Sequence, residues 1–557
     1  MNLTLRTGRL NWPAARPLTL VVAALAAAVG PLSLASAIGF IWLPAVQATQ
    51  LTLPPEQNLL HPTMVSYDNA VFILTTQWKG SQGAATTTNV FLTVGTQASV
   101  PGTETWTTHQ FSTQGPDYVT IMNGLTSLAI DPSTHRLYAA WVYHLTACHN
   151  PAGCDAVGVW TSSDFGSSWS GPTKLAVGQF NGPPSVVAAH GKAYVAFTAG
   201  THLGPCNDTT SRGADVLLTT YDGGAWSPPQ NLTSCVPGQQ ALAFAGAKLA
   251  LDDGTGHLHL VSDTNDDLSG LWYMDNVGGT WSPPAPIVPH ADSLPQESGV
   301  SYDYSIAASD GVTYVAYVHN PHQPKTAYGY HDLYLTMRPD GGTWTPGDVT
   351  HDAANCDEHD VSLVARHGRV GLAYIVGSTG YCPKGGLDYN VAHVLTGTPG
   401  HGTNDTPLGV DRSCTSPALS SDGGNSTLFR LALDCGRGRD TGSGNVFYAS
   451  EFLDKIGPKI TQLTVPATAA AGSIMVRWQA EDPMPGAGVS YVQVQVRQTN
   501  GRTWQDVVPG RVVPGGTAAT SLSYTVQAGH QYIFRVRAID KVNNRGAWRI
   551  SRPVTVS

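Results

Sequence analysis

Residues 157–169 read Val157-Gly-Val-Trp-Thr-Ser-Ser-Asp-Phe-Gly-Ser-Ser-Trp169, or VGVWTSSDFGSSW. An apolar run ends in an acidic-glycine turn, and a tryptophan reopens the chain. Ser162, Asp164 and Gly166 stand two apart. Asp accepts hydrogen bonds from backbone amides two residues on, and Gly takes a positive φ without steric cost. Trp169 then begins a new strand and has a ring to bury beside a neighbouring sheet. The stretch is strand, turn, strand.

Shortened copies follow at Thr220–Trp226 (TYDGGAW), Asp275–Trp281 (DNVGGTW) and Asp340–Trp344 (DGGTW). Asp222, Asp275 and Asp340 take the place of Asp164, and Trp226, Trp281 and Trp344 that of Trp169. A second motif repeats more regularly. Strand-like runs open at Ala70, Arg136, Lys192, His257, Val312, Arg369 and Ser426, seven copies about 57 residues apart. Asp-Asn, His-Gly or Asp-Gly turn pairs precede most of them. A third strand follows each, as in DVLLTTY from Asp215. A fourth carries proline, as in WSPPQNL, which suits an edge because proline cannot donate to a ladder. Four-stranded units repeated at this period predict an all-β, seven-bladed β-propeller, with six blades as the alternative. The seventh unit stops after three strands, so Gln50–Leu53 is expected to supply its outer strand.

The Ser-x-Asp-x-Gly-x-x-Trp pattern of 162–169 resembles the Asp-box of sialidase-like β-propellers, also called the bacterial neuraminidase repeat. The resemblance implies that Ser162, Asp164, Gly166 and Trp169 are structural, sitting between third and fourth strands away from the binding face. It also implies a test for sialidase activity. Such enzymes clamp a carboxylate with three arginines, whose planar forks bind it bidentately. No arginine occurs between Arg16 and Arg136, and Arg212, Arg412, Arg437 and Arg439 stand in no matching motif. Sialic-acid cleavage is therefore not expected.

Bulk properties agree with many turns and little helix: 60 Gly, 38 Pro and 12% charged residues in 557. Arg6, Arg9 and Arg16 precede an apolar run from Leu18 to about Val46, with small-residue cleavage patterns at Ala35-Ser-Ala37 and Val46-Gln-Ala48. This leader (1–48) predicts a secreted or cell-surface protein, cut near Ala48 or held by the uncleaved segment. Eight cysteines in an exported chain predict sequential disulfides: Cys148 with Cys154, Cys206 with Cys235, Cys356 with Cys382, and Cys414 with Cys435.

The propeller is assigned to 49–456. Residues 457–557 carry eleven Lys/Arg and four Asp/Glu, and with the leader's three arginines this leaves −19 of the chain's −9 on the propeller. So acidic a domain repels phosphate, which excludes nucleic acid. In the tail, Trp478, Tyr532 within GHQYIFRVRAID and the closing DKVNNRGAW resemble a fibronectin type III domain.

In a propeller, the outer-to-inner and second-to-third strand loops share one face, and all eight cysteines fall there. Candidate ligand-face residues are Asp266, Asp267, Asp303, Tyr304, His319, Asp357, Glu358, His359, Asp360, Asp411 and Arg412. Paired carboxylates beside a histidine suit acid–base work or a hard cation; no cofactor is expected, and calcium is the ion such oxygens would take. The leading expectation is a non-catalytic recognition protein for a glycan or an extracellular protein. A glycoside hydrolase using two face carboxylates is the alternative.

Overall fold

The computed structural model describes residues 40–557 except 44, 50–56, 69, 80–85, 97–103, 112–117, 146–154, 179–181, 201–213, 234–243, 265–270, 289–302, 320–331, 346, 348, 350–356, 378–390, 398–403, 409–412, 424–427, 437–444, 484–487, 508–512, 515–519 and 541–543. No helix occurs among the described residues. The seven sequence copies become the second strands of seven antiparallel sheets: Ala70–Lys79, Leu137–Leu145, Lys192–Gly200, Leu258–Thr264, Val312–His319, Arg369–Gly377 and Phe429–Gly436. Sheets 1 and 7 also touch edge to edge through a two-residue parallel pairing, Asp422 with Ser66 and Gly423 with Tyr67.

The first strands are Gln57–Tyr67, Tyr118–Ile130, Ser185–Ala189, Phe244–Leu251, Tyr304–Ser309, Asp357–Arg366 and Ser413–Gly423. Each packs against the first strand of the next sheet, and the last packs against the first, so the sheets form a closed circle. Side chains bond across every joint. Thr63 and Thr126 hydroxyls lie 3.1 Å apart. Ser127 accepts the Val186 N–H, and Ser185 accepts the Leu249 N–H. Lys248 Nζ donates to the Tyr304 carbonyl. Ser305, Ser362 and Ser420 accept the amides of Leu363, Leu419 and Ser66. An inner edge otherwise leaves backbone donors without partners.

Tryptophans wedge the sheets farther out. The Ser162 hydroxyl donates to Asp164 and accepts the Gly166 N–H at 2.9 Å, while Asp164 accepts the Ser168 amide. The Ser168 hydroxyl, which also donates to Asp164, followed by the Ser168 amide and the Ser162 hydroxyl, holds the Asp164 carboxyl down at about 2. Gly166 has φ +81°, and an added Cβ would meet Leu92 at 2.9 Å. Trp169 lies 4.6 Å from Phe111 of sheet 1, Trp226 edge-on to Tyr138 of sheet 2, and Trp344 edge-on to Tyr273 of sheet 4. Trp281 packs against a cluster that includes Ala196, Val216 and Leu218 of sheet 3. All four turns follow a third strand.

Sheet 7 takes its outer strand from the N-terminal segment; Gln50–Leu53, expected to supply it, lies outside the described residues. Phe40–Trp42 and Val46–Gln47 pair with Asn445–Leu453, upstream of the expected boundary at 48/49. Cys414 and Cys435 form a disulfide, as the spacing predicted; the other six cysteines lie outside the described residues.

Residues 459–556 fold as two further sheets around one core, in which Ile474, Val476 and Trp478 of one meet Val494, Phe534 and Val536 of the other. Alternation of buried and exposed residues is regular along Gly472–Glu481. The outer face of the larger sheet carries a stack, Arg497–Trp504–Arg535–Trp548–Arg537, with guanidinium-to-ring distances of 4.3–4.8 Å.

Replacing Ser362 with Ala leaves the Leu419 N–H without its acceptor at a tight joint. Denaturant unfolding of Ser362→Ala is expected to show a loss of about 1–3 kcal/mol, while an exposed control such as Ser473→Ala stays within about 0.5 kcal/mol.

Candidate functional site

The circle of first strands encloses a cavity of about 350 Å³ lined from all seven sheets. Its wall includes Thr63, Thr126, Ser127, Ser185, Ser305, Ser362 and Ser416, with Pro62, Pro183, Pro184 and Pro417. His61, Lys248 and Asp360 are its ionisable residues. No arginine lines it among the described residues.

Bulges bring these groups to the axis. Pairing between first and second strands slips at Leu60/Thr63, Ala245/Lys248, His359/Ser362 and Thr415/Ala418. At each slip one residue has a positive φ: His61 (49°), Gly246 (60°), Asp360 (53°) and Ser416 (49°). A bulge adds one residue, bends the strand and re-aims its side chains. Three of these four residues are not glycine, so the backbone there holds strain that neighbouring contacts must offset.

Carboxylates supply those contacts, each reaching from one sheet to the bulge of the next. Asp303 accepts the Asp360 N–H at 3.1 Å. Asp360 accepts the Ser416 N–H at 3.1 Å and faces His359 Nδ1 at 3.4 Å. Asp434 accepts the His61 N–H at 3.2 Å and the Thr415 hydroxyl at 2.6 Å. The Ser416 hydroxyl lies 3.0 Å from His61 Nδ1, which completes a polar chain through sheets 5, 6, 7 and 1. Lys248, from sheet 4, sits 4.9 Å over the Tyr304 ring.

Burial and neighbouring charge set the protonation of this chain. Burial raises Asp303 to about 6, helped by the charge of Asp360. Burial raises Asp434 to about 7, against the pull of the Thr415 hydroxyl and the His61 amide. Burial opposes ionisation of Asp360 too, but His359, the Ser416 N–H and His61 together hold its carboxyl below the ordinary value. Lys248 falls to about 8 through burial, with Asp303 and Asp360 opposing the fall. His61 is lowered by burial despite Asp360.

Of the residues expected on the ligand face, Asp303, His359 and Asp360 come together here. Tyr304 is fully buried and does not line the cavity; its hydroxyl donates to the carbonyls of Ala245 and Gly246, locking the bulge of sheet 4. Glu358 is likewise buried, at 1% exposure, because its place in the strand turns it into the sheet stack. Asp266, Asp267, Asp411 and Arg412 lie outside the described residues, as do the side chains of His319 and Asp357. His61, Lys248, Ser416 and Asp434 were not expected. A signal for the first two existed: His61, Lys248, Asp303 and Asp360 each stand nine positions before a second-strand copy, those opening at Ala70, His257, Val312 and Arg369. Three carboxylates converge elsewhere among the described residues, where Asp454, Asp482 and Asp540 meet between the ring and the C-terminal sheets.

No family model matches the chain, and no curated protein does. Solved structures are similar at low identity. Polysaccharide lyase Uly1 has a TM-score of 0.46 at 13% identity, over 76% of this chain and 99% of that one. The α-L-arabinofuranosidase Arb93A from Fusarium graminearum has a TM-score of 0.39 at 10% identity, over 74% and 98%. Trypanosoma rangeli sialidase in complex with sialic acid has a TM-score of 0.36 at 11% identity, over 93% and 89%. At TM-scores under 0.5 these similarities assign neither activity nor ligand to this chain.

A carboxyl whose folded value is raised favours folding while protonated and loses that contribution as it ionises. For Asp434 the loss runs from about pH 4, where the unfolded group titrates, to about pH 7. Asp434→Asn keeps an acceptor for the His61 N–H without the charge. Its melting temperature is expected to fall less between pH 5 and pH 8 than that of the unaltered protein, as read by calorimetry at both values.

Proposed function

We propose that this chain is an exported glycan-binding protein, a seven-bladed β-propeller followed by a fibronectin type III-like module. A glycan end enters the axial cavity from the side bearing His61, Lys248 and Asp360. The carrying observation is that cavity: about 350 Å³, walled by hydroxyls from six of the seven sheets, with a lysine from the remaining one, a histidine and one carboxylate. Such a wall offers many donors and acceptors to sugar hydroxyls, while the prolines and strand backbones keep it preformed, so little ordering cost falls on binding. A narrow axial cavity suits a chain end better than a flat protein surface does.

Binding without cleavage is favoured by the carboxylates. Two-carboxylate hydrolysis needs both groups facing one pocket across roughly 5–9.5 Å. Here Asp360 is the one carboxylate lining the cavity among the described residues, while Asp303 is 6% exposed and already accepts the Asp360 N–H. The opposed shifts of these two carboxyls, one up and one down, favour the hydrolase as the second reading.

Two features support the module reading. The Tyr532 hydroxyl accepts the Gln527 N–H, a bond from a strand start back to the backbone upstream, as in the tyrosine corner of this architecture. Trp478 lies in the core between the two sheets. For export, the support is the leader and the Cys414–Cys435 disulfide, which persists in oxidising compartments.

A glycan array with purified protein, with and without calcium, is expected to give a restricted set of hits and no release of free sugar. Against the best hit, calorimetry on Asp360→Asn and Lys248→Met is expected to show binding weaker by about 10-fold or more, the loss typical of a hydrogen bond to a charged group. Sugar release abolished by Asp360→Asn would replace the binding reading with the hydrolase. Undiminished affinity in both variants would move the ligand off the axis.

A further inference from the structure

We propose that the mature protein begins at Ile38, cut after Ala35-Ser-Ala37, because the next residues are the closing strand of the ring and not part of a removable leader. The proposal rests on the export reading but is independent of what the cavity binds.

The sequence offers two small-residue patterns, ending at Ala37 and at Ala48. Tertiary structure separates them. The outermost strand of sheet 7 in the 413–453 segment is Asn445–Leu453, whose Val446, Tyr448 and Ala449 are buried at 0–1% exposure. Its free edge needs partners for its backbone groups. Those partners come from Phe40–Trp42, paired with Leu453 to Glu451, and Val46–Gln47, paired with Tyr448 and Phe447. Between and after these pairs the bonding continues, from the Leu43 N–H to the Ser450 carbonyl and from the Ala48 N–H to the Val446 carbonyl.

A cut after Ala48 removes all of this except Thr49, and damages Thr49 as well. Ala48 and Thr49 are both fully buried, and the Thr49 hydroxyl accepts the Val446 N–H at 3.1 Å. The new α-ammonium would stand where the Thr49 amide now points at the Val446 carbonyl, so a charge would be placed in a buried position. A cut after Ala37 leaves two residues ahead of Phe40 and keeps every pairing of the described segment. Small side chains at Ala35 and Ala37 satisfy the pattern that processing reads, and the apolar run from Leu18 lies just ahead of it.

The full chain, expressed with its own leader in a secreting bacterial host, gives the test by intact mass and N-terminal sequencing. The expected product in the exported fraction begins at Ile38, and Ala37→Leu is expected to leave the leader attached. An exported product beginning at Thr49 overturns the cut site while leaving export standing. Protein retaining Met1 at the membrane, or never leaving the cytoplasm, overturns the cut; the second of these also removes the export reading. In a second arm, purified chains starting at Ile38 and at Thr49 are compared. The shorter one is expected to melt lower by roughly 5 °C or more and to self-associate through the uncovered edge of Asn445–Leu453. Equal melting temperatures and monomeric elution for both would refute the assignment of 40–47 to the fold.

Discussion

Each sheet of the ring has an inner edge, and the donors on that edge must be satisfied by something other than another strand of the same sheet. Serine hydroxyls do this from the adjacent sheet at five of the seven joints; at the other two the bridge is the Thr63–Thr126 hydroxyl pair and the Lys248 ammonium donating to the Tyr304 carbonyl. The rest of the molecule follows from that arrangement. Because hydroxyls are the cheapest acceptors that fit a crowded axis, the cavity wall is polar before any ligand is considered.

The same requirement produces the charged chain at one end of the axis. A bulge opens there in the first strands of several sheets, which frees an amide and places a residue at positive φ. A carboxylate of the preceding sheet takes that amide. Asp303, Asp360 and Asp434 are therefore structural first, holding a strained backbone, and their displaced protonation is a consequence of being buried to do so. Asp360 alone of these also reaches the cavity. A cavity group held by the ring's own closure is rigid, which is what the proposed recognition role requires.

Edges recur as the governing constraint at the outside of the ring. Tryptophans of the acidic-glycine turns fill the wedge between successive sheets, where the radial gap widens. Sheet 7 is built from both ends of the ring segment, so that chain ends 400 residues apart hold one another (Trp42 lies opposite Glu451). Glu451 in turn pairs bidentately with Arg369 of sheet 6, at 2.6 and 2.9 Å, tying the closing sheet to its neighbour through a buried ion pair.

Local chemistry settled the repeating unit. Alternation, turn residues and a 57-residue period are properties of neighbouring residues, so the seven second strands and the four tryptophan turns were legible before any coordinates, as was the Cys414–Cys435 pair. The nine-residue offset shared by His61, Lys248, Asp303 and Asp360, three of which line the axial cavity, was also written in the repeat, though no single copy displays it. What sequence could not reveal were the long-range choices. Tyr304 and Glu358 look like loop residues until packing buries them. Asp434 has no neighbour in sequence that marks it as the partner of the His61 amide, 373 residues away. Likewise, Phe40–Gln47 reads as the tail of an apolar leader, and only the exposed edge of Asn445–Leu453 makes it a strand. Hydrophobic pattern specifies what a segment is able to form; which unsatisfied edge it meets is decided by the closed ring.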